Sequence, residues 1–498
     1  MHPPLRKDGP DTRDQDSDML DLVLENLSSS VRLALMYMEG PLKDTIQSRL
    51  HNEDKLPDAK CSSLAANAID LLHRAQLILE PRSTILADHF LGYVNSKCLN
   101  AAVERGIPDV LATGPMTLEK LSEASESRAD RLGQVLRVLY NNGIFEFDES
   151  TSLYRNNAAS SLLRSDHWTQ WRNWVELYGN QFYDVARGIP ESTKKHATRW
   201  GAQINYDTDL NMFEYFQKQG WMELLHRTLG GGAEAMAPGI VEDYPWSELV
   251  EGNNGAVIVD IGGGGGGLIA TLLRRFKNLH GAILDLPGVI AHARTLFHDK
   301  DGKYVDVGDR VSPEDLIGGD FFASVPRFEI YTMKWCLHDW KDEKALKILG
   351  NIRRAIIAGP KSRLIVMETV IENGRAQRLS RYGDIHMMMT ANGFERTERQ
   401  WRELARRSGW EVKKIYNLRN AWVKAIELVP ASSGYVQGAD VLEVQRLASQ
   451  RELIKTTMGN QIHCPINFKK ESMRILDIGT ADGMSSCSIY FWAQWKHS

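Results

Sequence analysis

The alternation of apolar and polar positions near the middle of the chain predicts a buried strand, a glycine turn and an amphipathic helix. Residues 256–259 are apolar and lead into Asp260, and six consecutive glycines, Gly262–Gly267, follow. Apolar residues then recur at helical spacing between 268 and 276. Glycines let a backbone approach a ligand closely, and a helix N-terminus offers unpaired N–H donors, so this unit is typical of a nucleotide-binding α/β fold. The glycine spacing also fits a dinucleotide fingerprint, which leaves the nucleotide open.

Further short apolar runs continue this strand–helix alternation towards the C-terminus. They fall at 281–284, 328–333 and 364–367, and two closing strands are predicted at 410–416 and 421–429. A doubly wound α/β sheet over residues 166–429 is therefore predicted.

The region before this sheet has a different pattern. Residues 1–82 are expected to form a disordered or helical segment, with disorder over the first 17 residues. Within 83–165, three short helical patterns precede two strand-like runs, 144–147 and 153–155, joined by a polar turn. Three helices and a hairpin make a winged helix, and its third helix lacks a clear basic face. This favours dimerisation over DNA binding.

Composition narrows the possible partners and the compartment. The 498 residues carry a net charge of −4, with 43% hydrophobic and 25% charged residues, which is ordinary for a soluble globular protein. No run approaches the roughly 18 apolar residues of a membrane span, and the polar N-terminus lacks a signal-peptide core. The five cysteines are scattered. A cytoplasmic protein with neither nucleic acid nor membrane as partner is expected.

Polar residues with chemical potential follow the predicted strands. Asp260, Asp285, Asp320, His338 and Glu368 all fall at or just past strand ends. Ligands of a doubly wound sheet bind beyond the carboxyl ends of its strands, and an acid one repeat after the glycine strand suits ribose hydroxyls. A carboxylate near a histidine can hold the imidazole in the tautomer that accepts a proton. No metal-ligand spacing such as H-x-x-x-H or C-x-x-C occurs among these residues, so no metal is expected.

Five motifs carry a resemblance to a known family. Val-Asp260-Ile-Gly-Gly-Gly, Leu-Asp285-Leu-Pro, Gly-Asp320-Phe-Phe, Leu-His338-Asp-Trp-Lys and Phe-Glu395-Arg-Thr-Glu occur in this order. They resemble the motifs of the S-adenosylmethionine-dependent small-molecule O-methyltransferases of plant phenolic and fungal polyketide pathways. The resemblance covers about residues 85–429. It implies a winged-helix dimerisation domain ahead of a Rossmann-like catalytic domain. It also implies a homodimer formed through the winged helix and the N-terminal helices, and a small aromatic or polyketide-type substrate of secondary metabolism.

The resemblance also implies site residues. His338 would be the general base, with Glu368 and Glu395 flanking it, and S-adenosyl-L-methionine would be the cofactor. The implied cofactor contacts are Asp260, Gly262, Gly263, Asp285, Asp320, Phe321 and Lys334. Two other functions stay open. An NAD-linked oxidoreductase is disfavoured by the acid directly before the turn and by the histidine–carboxylate set. A non-catalytic regulator would use the winged helix instead.

The C-terminal stretch 430–498 repeats the strand–acid–glycine order in Met473-Arg-Ile-Leu-Asp477-Ile-Gly479-Thr-Ala-Asp-Gly483. It resembles the opening of a second methyltransferase, but only 15 residues follow Gly483. A nucleotide-binding half needs several adjacent strands, so this segment is expected to be a truncated fragment that forms no second cofactor site.

Overall fold

The computed structural model describes residues 10–53, 55–250, 255–374 and 378–431. They divide into two compact units. One contains the residues up to 187 together with 205–244 and 418–421, and the other contains 188–204, 245–417 and the residues from 422 onwards. Apart from its first two residues, the expected C-terminal fragment lies outside the described residues.

Helices and strands take the following bounds in chain order. The helices are α1 (Pro10–Glu39), α2 (Lys43–Leu50), α3 (Ala59–Leu79), α4 (Arg82–Glu104), α5 (Ile107–Val110), α6 (Leu118–Ala124), α7 (Ala129–Asn141), α8 (Ala158–Ser161), α9 (Trp171–Gly179), α10 (Gln181–Val185), α11 (Ile189–Ser192), α12 (Gly201–Asn205), α13 (Met212–Gln219), α14 (Met222–Asp243), α15 (Ser247–Val250), α16 (Gly267–Arg275), α17 (Pro287–His298), α18 (Asp342–Ala355), α19 (Arg378–Thr390) and α20 (Glu398–Arg407). The strands are β1 (Glu146–Asp148), β2 (Leu153–Arg155), β3 (Val257–Ile261), β4 (His280–Asp285), β5 (Leu316–Gly318), β6 (Ile330–Lys334), β7 (Arg363–Glu368), β8 (Val370–Ile371), β9 (Arg396–Thr397), β10 (Trp410–Asn417) and β11 (Lys424–Pro430).

The first unit is helical and carries one small hairpin. Strands β1 and β2 pair antiparallel with Phe147 opposite Tyr154, which confirms the predicted hairpin. Helices α4–α7 and the hairpin share one apolar core. Its fully buried members include Ala102, Ile107, Leu121 and Leu136. Helix α1 begins at Pro10, so the disorder expected over the first 17 residues is wrong from that residue onwards. Proline suits the first position of a helix, because its missing N–H is unpaired there in any case.

The second unit is built on a seven-stranded sheet with the order β10-β11-β7-β6-β3-β4-β5. Strands β3 to β7 are parallel, and β11 and β10 complete the sheet antiparallel. This order and these strand directions confirm the predicted α/β class and fit the Rossmann-like sheet that the resemblance implies. The parallel strands are almost continuously apolar because helices cover both faces. Their buried core includes Val259, Ile261, Leu284, Tyr331, Met333, Leu364 and Val366.

The strand order fixes where a ligand can bind. Strands β3, β4 and β5 extend to one side of the sheet and β6 and β7 to the other, so the order reverses between β3 and β6. A crevice forms at such a switch point, beyond the carboxyl ends of the strands. A two-residue parallel pairing of β8 with β9, Val370 opposite Arg396, brings the chain that follows β7 beside the chain that follows α19.

Among the described residues, no helix has both the length and the apolar character that crossing a membrane would need.

Candidate active site

Close packing around the turn between β3 and α16 explains why some of its positions are glycine. The Gly262 N–H donates to the Leu284 carbonyl at 2.8 Å, which extends the β3–β4 pairing by one residue. A Cβ on Gly263 would lie 2.9 Å from Asp260 Oδ2, and a Cβ on Gly266, whose φ is +87°, would lie 2.5 Å from the Phe297 ring. Both positions therefore require glycine. At Gly264, by contrast, a Cβ would meet nothing within 4 Å, so the turn borders open space there.

Asp285 lies at the end of β4 and contacts this turn. Its Oδ2 accepts a hydrogen bond from the Gly264 N–H at 2.8 Å, and its Oδ1 accepts one from the Leu286 N–H at 2.7 Å. A carboxylate has about four acceptor positions, so two remain for other donors. Asp285 can therefore hold the turn and still accept from a ligand's hydroxyl groups.

The third predicted acid, Asp320, lies on an exposed turn after β5. Its Oδ1 accepts from the Phe322 N–H at 2.8 Å, which orders the turn. The Phe321 carbonyl accepts from Asn351 Nδ2 at 2.6 Å, and the Phe321 and Phe322 rings meet edge to face. The structure thus places an acid and an aromatic side chain at the carboxyl end of β5.

Asp260 and Lys334 lie deeper than the sequence suggests. Asp260 is 3% exposed, and its Oδ1 accepts from Thr332 Oγ1 at 2.8 Å across the β3–β6 pair. Burial raises the pKa of Asp260 to about 6, against the Thr332 hydrogen bond and the Lys334 charge. Burial lowers the pKa of Lys334, which the charges of Asp260 and Glu368 oppose. Asp260 therefore makes its hydrogen bond within the sheet, and its carboxylate lies against the back of the glycine turn.

His338, Glu368 and Glu395 form a buried cluster past the ends of β6 and β7. The Nδ1 atom of His338 lies 2.9 Å from Glu395 Oε1 and 3.2 Å from Glu368 Oε2. A nitrogen between two carboxylates carries the proton, because two acceptors without a hydrogen between them would repel. In the neutral form of the ring, Nε2, which lies 3.9 Å from Asp339 Oδ1, is then the nitrogen with a free lone pair. This geometry would allow His338 to accept a proton at Nε2.

Burial and the neighbouring charges have opposite effects on the pKa of His338. Burial by itself would lower the pKa of His338, but the two carboxylates and the hydrogen bond to Glu395 outweigh it and raise the pKa to about 10. Burial raises the pKa of Glu368, and the His338 charge partly offsets this. His386 on α19, also buried, has its pKa lowered to about 3, first by burial and then by the charge of His338. These shifts favour a neutral His386 and a protonated His338.

The two glutamates of the cluster are held by hydrogen bonds from backbone N–H groups. Glu368 is the last residue of β7, and its Oε1 accepts from the Cys336 and Leu337 N–H groups, both at 2.8 Å. The Glu395 N–H donates to Asp384 Oδ1 at 2.8 Å. The sequence analysis missed Asp384 and His386, and the only signal for them is two polar residues at the start of a methionine-rich helical stretch.

Within the part of the chain that the structure describes, this cluster is also the one histidine–carboxylate group that could hold a metal ion. Its ligand atoms lie within 4.8 Å of one another. The two N···O distances from His338 are hydrogen-bond lengths, so a proton on Nδ1 accounts for the arrangement.

Comparison with known proteins supports, over most of the chain, the family that the sequence motifs resemble. A family model for an O-methyltransferase domain matches residues 253–411, and one for an O-methyltransferase dimerisation domain matches residues 87–166. The O-methyltransferase aclM of Aspergillus oryzae is 53% identical over 423 residues, which span 84% of this chain and 97% of that protein.

Solved structures agree with these matches. The crystal structure of LaPhzM is 26% identical with a TM-score of 0.60 and covers 70% of this chain and 99% of its own. The O-methyltransferase NcsB1 from neocarzinostatin biosynthesis is 25% identical with a TM-score of 0.51, covering 68% of this chain and 96% of its own. That structure holds S-adenosylmethionine and 2-hydroxy-5-methyl naphthoic acid.

Proposed function

The chain belongs to the S-adenosylmethionine-dependent small-molecule O-methyltransferases, and we propose that His338 is the general base of its methyl transfer. The enzyme class and the cofactor follow from the family. The comparisons support neither the NAD-linked oxidoreductase nor the non-catalytic regulator that the sequence left open.

The observation that carries the proposal is the pairing of His338 Nδ1 with two buried carboxylates. During methyl transfer, Nε2 would accept the proton of the acceptor hydroxyl, and the resulting imidazolium would be stabilised at Nδ1 by Glu368 and Glu395. A phenol has a pKa near 10, so transfer to an ordinary imidazole would cost about 5 kcal/mol. Raising the pKa of His338 to about 10 removes most of this difference.

The same charges have a cost in the free enzyme. With its pKa raised to about 10, His338 is mostly protonated at pH 7, and the protonated form cannot act as a base. The reactive fraction therefore grows as the pH rises. We expect kcat/KM to increase through the neutral and mildly alkaline range, above the range of an ordinary histidine.

For cofactor binding we propose the residues that border the switch-point crevice: Gly262, Gly263, Asp285, Asp320, Phe321 and Lys334. When bound, S-adenosylmethionine supplies an electrophilic methyl group on a cationic sulfur. The residues fit it, since the turn borders open space at Gly264 and Asp285 keeps acceptor positions for ribose hydroxyls. Asp260 is proposed to act from behind, by fixing the backbone of Gly263.

The acceptor is proposed to be a hydroxyl that arrives neutral on a small aromatic or polyketide-type molecule of secondary metabolism. Glu368, Glu395 and Asp339 gather negative charge around His338, which disfavours an anionic acceptor. An aromatic acceptor is supported by the naphthoic acid bound to NcsB1.

Replacing His338 by glutamine tests the proposal. We expect His338→Gln to bind S-adenosylmethionine with unchanged affinity in calorimetry while turnover falls by roughly 10²–10⁴-fold. His292→Gln, an exposed histidine on α17, is the matched control and should retain full turnover. Acceptors come from a methylation screen of phenols and enols read by product mass. Near-normal turnover of folded His338→Gln would refute the role of His338.

A homodimer is supported by the match to the dimerisation domain. We propose that it forms through the winged helix and through the N-terminal helices, because α1, α3 and α4 expose many large apolar side chains. These include Met19, Leu20, Leu64, Ile69, Ile78, Leu86 and Phe90. Ile69→Arg should shift the protein towards the monomer in light scattering, whereas Asn67→Arg, on another face of α3, should not. A dimer unaffected by Ile69→Arg would exclude α3 from the interface.

A further inference from the structure

Arg396 directly follows Glu395 and is completely buried, although the cluster of His338 and its two carboxylates does not include it. Its guanidinium carbon lies 4.4 Å from the centre of the Phe394 ring and 5.4 Å from that of Trp401. Burying a cation is costly unless it is paired and hydrogen-bonded. The hydrogen-bond partners of Arg396 therefore indicate which part of the structure it stabilises.

Those partners lie on both sides of His338. Arg396 Nη1 donates to the Leu337 carbonyl at 3.0 Å, and Nη2 donates to the Trp340 carbonyl at 2.7 Å. Nε and Nη2 also reach Asp342 Oδ1, at 3.0 and 2.9 Å, at the start of α18. The planar guanidinium thus joins the two ends of the turn 337–340 to the helix that follows.

The two residues that shortly precede Arg396 in sequence, Gly393 and Phe394, also pack against the turn 337–340. The His338 carbonyl accepts from the Phe394 N–H at 3.0 Å, and a Cβ on Gly393 would lie 2.0 Å from that carbonyl oxygen. Just before the turn, Trp335 has a left-handed φ of +51°, which is unfavourable for a bulky residue. Strained backbone persists only where its surroundings determine it, so the conformation of this turn depends on these contacts.

We propose that Arg396 is a positioning residue for methyl transfer. It fixes the carbonyls of Leu337 and Trp340, and thereby keeps His338 Nδ1 against Glu368 and Glu395. Arg396 contributes through the histidine and contacts neither the acceptor nor the cofactor. The inference rests on the proposed role of His338.

The test is Arg396→Lys, because an ammonium keeps the charge but cannot span two carbonyls and a carboxylate as the guanidinium fork does. We expect kcat to fall about 10- to 100-fold, as for a displaced catalytic group, with the cofactor dissociation constant changed less than about twofold. The midpoint of the pH profile of kcat/KM should move down, towards that of an ordinary histidine, because Nδ1 loses contact with its carboxylates. Loss of stability alone would lower the active fraction and leave this midpoint in place.

Arg363→Lys is the matched control. Arg363 is also largely buried and pairs with Glu427 at 2.7 Å, but it begins β7, at the opposite end of the strand from Glu368. It should keep the wild-type midpoint. If Arg396→Lys does not fold, Asp342→Ala decides, because it removes the outer anchor of Arg396 at a half-exposed position. It should shift the midpoint in the same direction, with a smaller fall in kcat.

A wild-type midpoint in folded Arg396→Lys, or in Asp342→Ala where that variant decides, overturns the positioning role. The outcome is separable from the role of the base. If His338→Gln is inactive while Arg396→Lys behaves like wild type, the proposed function stands and this inference fails. If His338→Gln is fully active, the proposed function itself fails.

Discussion

The charge of Glu395 should set the pH range in which the enzyme works. Glu395→Gln removes that charge but keeps an oxygen that can accept from His338 Nδ1, so the imidazole stays oriented. The imidazolium then loses one of its two stabilising carboxylates. Its pKa must fall, and the midpoint of the rise of kcat/KM with pH must fall with it.

The size of this shift can be estimated from the cluster. The net raising of the His338 pKa from 6.5 to about 10 corresponds to about 5 kcal/mol. An opposite charge at hydrogen-bond distance typically changes a pKa by about 1–3 units. We therefore expect the midpoint to fall by about 1–3 units. The neutral fraction of His338 at pH 7 grows about tenfold per unit, while the rate plateau at high pH falls because a weaker base accepts the proton less readily.

The experiment measures initial rates at saturating cofactor between pH 6 and 10.5, with the product quantified by chromatography. It gives the midpoint of the pH profile for the wild type and for Glu395→Gln. Glu403→Gln on the exposed surface of α20 is the matched control and should reproduce the wild-type profile. A midpoint for Glu395→Gln equal to or above that of wild type would refute the reasoning, because it would show that the Glu395 charge does not stabilise the imidazolium.

Three further outcomes follow from the site and the chain. Asp285→Ala should weaken S-adenosylmethionine binding in calorimetry while the melting temperature stays close to wild type, and unchanged affinity would remove Asp285 from the cofactor site. Overnight treatment with a strong chelator should leave turnover intact, since a proton accounts for the contacts of His338, and loss of activity restored by a divalent metal would contradict this. Deleting residues 431–498 should leave one cofactor per chain and methyl transfer largely intact, and two cofactors bound to the full-length chain would show the expectation of a truncated fragment to be wrong.

The parallel strands and the polar residues at their ends could be predicted because buried strands have a simple pattern. Four or five apolar residues ending in an acid define β3 and β4, and the topology of a doubly wound sheet brings such ends to one edge. The ends of the strands were predicted less accurately: β6 runs from Ile330 to Lys334, whereas the sequence pattern predicts 328–333. The direction in which a strand-end acid points was not predictable. Asp260 is paired with Thr332 inside the sheet, a contact that depends on the β3–β6 register.

Glu395 illustrates what local patterns leave out. It follows a helix, not a predicted strand, and its approach to His338 depends on the two-residue pairing of β8 with β9, which is too short to give an alternation. Only the family resemblance indicated its place in the site. Arg396 shares this motif, but an arginine in a polar stretch is usually a solvated surface residue. Its burial is decided by Phe394, Trp401 and the turn that it holds.

The cluster balances two unfavourable effects that no single residue reveals. Two buried carboxylates near each other repel, and a buried imidazolium is poorly solvated, so each alone would be unfavourable. Glu368 offsets its burial by accepting two backbone N–H groups, and His338 offsets both carboxylates with one shared proton. The arrangement is stable only while the turn that carries His338 keeps Nδ1 between them. In its proposed role, His338 is a base strong enough for a hydroxyl acceptor only if its backbone is fixed from outside. This is the physical reason to expect that the buried Arg396 affects catalysis as well as folding.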